Sequence, residues 1–329
     1  MKDKPLAYAA YSRDEEIRLS SSSGGVFFHL AEHIIDSGGI VYGVAMSSDK
    51  RNAHFVCITE KKQLPEIMRS KYLQASVGDT FREIEDQLKK GLLVLFSGTG
   101  CQINGLKSFL RKEYNNLLCT DIICHGVPSS KLWGSYVDYV EKKYHGVLTD
   151  VNFRCKDDCW ADFGIKESIG SEKTYFTSKE VDPYMLMFLR DCALRPSCYE
   201  CVAKVNKSAD ITLADFWGIH LIYPDMDDGK GTSFVILRTE KGVKLFNDVK
   251  DNMVYRNVDF QDGIRGNKAE FQSTKRPDER NEFYLDFNKM EFEGLIRKYG
   301  KPNRIPLIKR VKRIIKSILK MLKKCGGGE

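Results

Sequence analysis

Hydrophobic and polar positions follow two rhythms along this 329-residue chain. Apolar-rich stretches of strand length stand at 7–11, 39–46, 92–96 and 117–124, with 92–96 unbroken. Between the first two, Val26, Phe27, Leu30 and Ile34 recur at helical spacing and predict a helix over 25–36. Helical patterns at 103–110 and 130–143 follow the third and fourth runs after short turns. Strand, turn and helix repeated in this order predict an α/β fold with a mixed, largely parallel sheet core. Beyond residue 150 the runs shorten, at 151–154, 163–167, 174–177, 211–215 and 234–238, with one helix over 183–190. These predict added antiparallel strands.

At the C-terminus Leu307, Val311, Ile314, Ile315, Ile318 and Leu322 form one apolar stripe, with Lys and Arg opposite. The pattern predicts a basic amphipathic helix, suited either to an anionic membrane surface or to docking on its own domain. The expected organisation is therefore a body over 1–300, with parts at about 1–85 and 86–300, and a tail over 301–329. No internal repeat of roughly 20 to 50 residues interrupts it.

Charge supports this division. The net charge is +7, yet 301–329 holds ten Lys/Arg and one acidic residue, leaving 42 basic and 44 acidic residues in the body. A body so nearly balanced is not a nucleic-acid surface. No run reaches the roughly 20 apolar residues of a membrane span, and the N-terminus lacks a secretory core. The expected location is cytoplasmic, with peripheral contact at the inner face of the membrane through 307–322.

Ten cysteines in a reducing compartment call for a role other than disulfides. Cys57, Cys119 and Cys192 lie in or beside apolar segments and read as buried structural thiols. Cys155 and Cys159, spaced C-x3-C among charges, read equally as metal ligands or loop thiols. Four others sit in turn-like contexts: Cys101 after Ser97-Gly98-Thr99-Gly100, Cys124 before His125-Gly126, and the pair Cys198-x-x-Cys201. Soft thiolates converging on one point bind zinc or an iron–sulfur cluster, and spacing alone leaves both open.

Other motifs add weaker signals. Ser22-Ser23-Gly24-Gly25 leads into a helix, where free amides cradle a phosphate or a serine simply caps the helix. Asp215 and Trp217, at the exit of the 211–215 strand, can meet a flat cofactor or belong to an ordinary strand end.

Taken in order, Ser22 to Gly25, Ser70-Lys71-Tyr72, 97–106, 121–128, 194–201 and 210–218 resemble the coenzyme F420 hydrogenase/dehydrogenase beta-subunit family. The resemblance implies a 4Fe–4S cluster on Cys101, Cys124, Cys198 and Cys201 with a flavin, FAD, nearby. It implies flavin contacts from Ser22, Ser23, Gly24, Gly25, Lys71, Tyr72, Ser97, Gly98, Thr99 and Asp215. Electrons then pass between the cluster, the flavin and a second substrate: coenzyme F420 in the best-known members, an unspecified one among relatives in surface-polysaccharide biosynthesis. Gly100 stands where relatives commonly have Pro. The ferredoxin-like N-terminal run of many relatives is not seen, so the expected donor is a separate protein such as ferredoxin, or a reduced soluble cofactor.

Overall fold

The computed structural model describes residues 5–157 and 159–302. The basic stripe expected over 307–322 lies outside them. Twelve strands are described: Leu6–Ser12 (β1), Ile40–Met46 (β2), Ala53–Ile58 (β3), Ala75–Ser76 (β4), Val94–Thr99 (β5), Leu117–Ile122 (β6), Leu148–Cys155 (β7), Gly164–Ile169 (β8), Lys173–Ser178 (β9), Ile211–Asp215 (β10), Ser233–Leu237 (β11) and Met253–Asn257 (β12).

Nine strands form one mixed sheet in the order β12-β1-β11-β10-β6-β5-β2-β3-β4. The run β10-β6-β5-β2 is parallel throughout and makes the centre. Antiparallel strands β11, β1 and β12 extend one side, and β3 pairs antiparallel with β2 on the other. The late strands β7-β8-β9 do not join this sheet and form a separate antiparallel one.

The central strands begin buried on both faces, which explains the apolar residues that open them. Val41, Leu95 and Leu118 point to one face, beneath helices Val26–Asp36 and Glu240–Val249. Their neighbours Tyr42, Phe96 and Cys119 point to the other, toward helices Gly100–Leu110 and Ser130–Tyr144. This alternation is the period of two that a pleated strand imposes.

An aromatic group ties the small sheet to the large one. Trp133 lies against Phe153 of β7 at 4.7 Å and Tyr184 of helix Pro183–Leu189 at 4.9 Å between ring centroids. That packing fixes where the end of β7 arrives, beside the end of β10.

Cys119 and Cys192 are buried as expected, whereas Cys57 is exposed. The expectation failed there because β3 has only the two-residue β4 beyond it, so its outer positions meet solvent.

Candidate functional site

The register of the parallel strands gathers the cysteines. Thr99 of β5 pairs with Ile122 of β6, so Cys101 and Cys124 each stand two residues beyond a paired position on adjacent strand exits. Ile122 also pairs with Leu213, which brings the end of β10 to the same edge. Ligands of open α/β sheets collect at these carboxyl ends.

Thr99 and Gln102 close a reciprocal cap on helix Gly100–Leu110, so Cys101 sits in its first turn. The Thr99 hydroxyl lies 3.1 Å from Cys101 Sγ. Cys198 ends the single turn Pro196–Cys198, and Cys201 caps the next, Val202–Lys204. The thiols feel one another: burial first, then charge on Cys101 and Cys198, pushes the Cys124 thiol up to about 12, with Lys204 opposing. Cys198 is raised by burial and then by Cys101 and Cys201. Lys204 donates from Nζ to the Cys124 carbonyl.

Among the described residues no three His, Cys, Asp or Glu side chains close on a single metal ion. The donor chemistry of the four thiols fits a soft-metal group, and Lys204 with the helix N-terminus offers counter-charge to its thiolates.

Gly100 is packed tightly: a Cβ there would come within 3.0 Å of Ala203 Cβ and 3.1 Å of Asp121 Oδ2. Here the glycine brings the first turn of the helix against the 202–204 turn.

His125, beside Cys124, donates from Nε2 to Asp191 Oδ1 over 2.6 Å, so that nitrogen is engaged. Cys155 is buried and raised to about 11, chiefly by burial, while Cys159 is partly buried.

A second group of expected residues meets around the end of β7. Ser22 Oγ accepts from the Ser70 amide at 2.9 Å, and the Ser23 carbonyl accepts from Lys156 Nζ at 2.7 Å. Lys156 also donates to the carbonyls of Arg18 and Lys230; burial, then the charges of Arg18 and Arg154, push its ammonium down to about 7. Gly24 has no room for a side chain, since a Cβ would lie 2.3 Å from the Ala10 carbonyl. Gly25 caps the helix Val26–Asp36 at φ +86° without a side-chain hydrogen bond, leaving first-turn amides for another acceptor.

Asp215 is committed within the protein. Its Oδ2 pairs with Arg154 Nη1, and its Oδ1 accepts from Trp160 Nε1 at 3.2 Å. Trp160 stacks on Trp217 at 4.9 Å with 9° between the rings. Tyr72 lies beside the Arg154 guanidinium and feels its charge.

Lys71 and the 97–99 segment stand apart from this group. Lys71 turns its Nζ onto the carbonyls of Glu66 and Met68, and burial holds its ammonium near 7. Ser97, Gly98 and Thr99 belong to the cysteine edge, where Gly98 packs on Gln102.

Arg154, Lys156, Trp160 and Lys204 escaped the sequence reading. Arg154 is the most telling, with 5% side-chain exposure and no hydrogen-bond partner for Nε or Nη2. Leaving such donors dry costs about 1–3 kcal/mol each, a cost that an acceptor placed there removes. Two cations alternating with a cysteine at a strand end, Arg154-Cys155-Lys156, were the available signal.

Aromatic side chains join the two regions. Tyr72 stacks on Phe188 at 5.0 Å, and Phe188 meets the His125 ring edge-on at 5.3 Å. The path thus runs from the residue after Cys124 to the guanidinium of Arg154.

Comparison with known proteins places the chain in a family. Residues 7–80 match the N-terminal family model of the coenzyme F420 hydrogenase/dehydrogenase beta subunit, and residues 92–262 match the model for its C terminus. No curated protein matches the chain. Among solved structures, the chain is similar in fold to one from the F420-reducing [NiFe] hydrogenase complex of Methanosarcina barkeri. The TM-score is 0.55 at 14% identity, over 87% of this chain and 94% of that one. The two matched segments contain both the Ser-Ser-Gly-Gly turn and Cys101, Cys124, Cys198 and Cys201, and the chain belongs to the coenzyme F420 hydrogenase/dehydrogenase beta-subunit family.

Proposed function

We propose that this chain is an oxidoreductase subunit that passes electrons between a 4Fe–4S cluster, a bound flavin and a second substrate. Cys101, Cys124, Cys198 and Cys201 hold the cluster. The flavin, FAD, lies against the Ser22 to Gly25 turn, Tyr72 and the Arg154–Asp215 pair. Its chemistry joins two-electron to one-electron partners.

The reading is supported by four thiols from three separate stretches of chain near the carboxyl edge of the central strands, where Cys124 and Cys198 each feel Cys101 and Cys198 also feels Cys201. Each protein group has a definable part in this reading. Lys204 and the amides at Cys101 balance thiolate charge. The uncapped amides after Gly25 take the diphosphate. The Tyr72–Phe188–His125 contacts fill the space between the two groups and exclude water from it.

The second substrate is a deazaflavin coenzyme or an intermediate of surface-polysaccharide synthesis, and the donor is a ferredoxin-type protein or a reduced soluble cofactor. Serine substitution at each of the four cysteines tests the reading. Each variant is expected to lose iron, sulfide and the cluster's broad share of the visible absorption while keeping the flavin's bands, whereas C155S and C159S retain both. Retention of full absorption in C124S contradicts the assignment.

A further inference from the structure

We infer that Arg154 contacts the ring of the bound cofactor directly, donating from Nε and Nη2 to adjacent acceptor atoms on its edge and favouring the form with extra negative charge. This rests on the flavin reading above and assigns the ring, rather than the diphosphate, to the end of β7.

Asp215 holds the guanidinium at Nη1, and the Tyr72 hydroxyl approaches it. Nε and Nη2 are buried without hydrogen-bond partners. Such a fork presents two parallel donors, a match for a ring carbonyl beside a ring nitrogen. The setting is aromatic, with the Arg154 guanidinium carbon 4.2 Å from the Phe163 ring centroid and 5.4 Å from that of Trp217. Tyr72 stands alongside. Flat apolar walls suit a heterocycle. A diphosphate is better served by the amides at Gly25, which lie on another element.

The guanidinium is the fixed charge of this region, since burial lowers both Lys156 and Lys179. Arg18, Arg154, Lys156 and Lys179 approach this region against the carboxylates of Asp162, Glu180, Asp215 and Asp228, so its formal charges balance. Asp228 is already paired with Arg18 and Asp215 with Arg154, while Lys156 and Lys179 donate to backbone carbonyls and Lys179 also feels Asp162 and Glu180. Two electrons and one proton convert an oxidised flavin ring to its reduced monoanion, and a fixed guanidinium at the ring edge stabilises that added charge.

The test uses the full chain with its flavin removed and restored, as wild type, Arg154→Lys, and the double variant Arg154→Gln/Asp215→Asn. The double variant avoids stranding a buried carboxylate, and its iron content and near-ultraviolet circular dichroism report folding. Riboflavin and FAD affinities are measured by fluorescence quenching, and the flavin midpoint potential by dithionite titration.

The double variant is expected to bind both ligands at least tenfold more weakly and to show a lower midpoint potential, which the Lys variant largely restores. Wild-type affinity and potential in the double variant overturn the inference while leaving the flavin reading intact. Weakened FAD with unchanged riboflavin assigns Arg154 to the diphosphate and also overturns it. A wild-type chain that binds neither ligand overturns the flavin reading and this inference together.

Discussion

Tyr136 bridges two buried carboxylates, Glu167 and Asp182, with its single hydroxyl, the latter at 2.6 Å. One phenolic proton serves one acceptor, so the second contact needs a proton on a carboxyl. Burial accordingly holds Glu167 up to about 7 and Asp182 up to about 6. Lys143 faces the group and opposes both shifts, while Tyr184 packs alongside. Both folded values lie above the unfolded ones of 4.5 and 3.8. The unfolded chain therefore releases its protons first, and stability from this group falls as pH rises through the folded values. Urea midpoints for wild type and Glu167→Gln at pH 5.5 and 7.5 check this. Wild type is expected to lose more stability than the variant across the interval; equal losses contradict the shared proton.

At the scale of elements, close approach and aromatic packing set the site. Gly24 runs against β1, and Gly24→Ala is expected to destabilise by roughly 2–3 kcal/mol, because its methyl group meets the Ala10 carbonyl and both must shift. Trp133→Ala removes the ring that joins helix Ser130–Tyr144 to β7 and is expected to cost about 3–5 kcal/mol. Chemical denaturation measures both, and a cost under about 1 kcal/mol for Trp133 contradicts its place in the core.

These same elements show what the sequence can tell. Strands β5 and β6 are legible because burial on both faces keeps their opening residues apolar. Strands β3 and β12 are not, because exposed positions such as His54 and Arg256 break their runs. The four cysteines stand out through their Gly and Pro surroundings. Arg154 does not: its meaning comes from Asp215, 61 residues away, and from donors whose lack of partners only the folded chain reveals.

For the whole molecule, one sheet edge does the organising. The parallel run β10-β6-β5-β2 turns three strand ends toward the same side, and the small sheet delivers Arg154 beside them. The cysteine region and the guanidinium region are thereby joined through His125, Phe188 and Tyr72. A Phe188→Leu variant is expected to keep both cofactors and to slow electron transfer between them at least severalfold in stopped-flow reduction. An unchanged rate removes Phe188 from the path.

Whether one fold carries both a cluster and a flavin is decided by the iron, sulfide and flavin content of the anaerobically purified full chain. About four iron and four sulfide per chain, with one releasable flavin, are expected. One zinc per chain, with neither iron nor a yellow chromophore, contradicts that pairing.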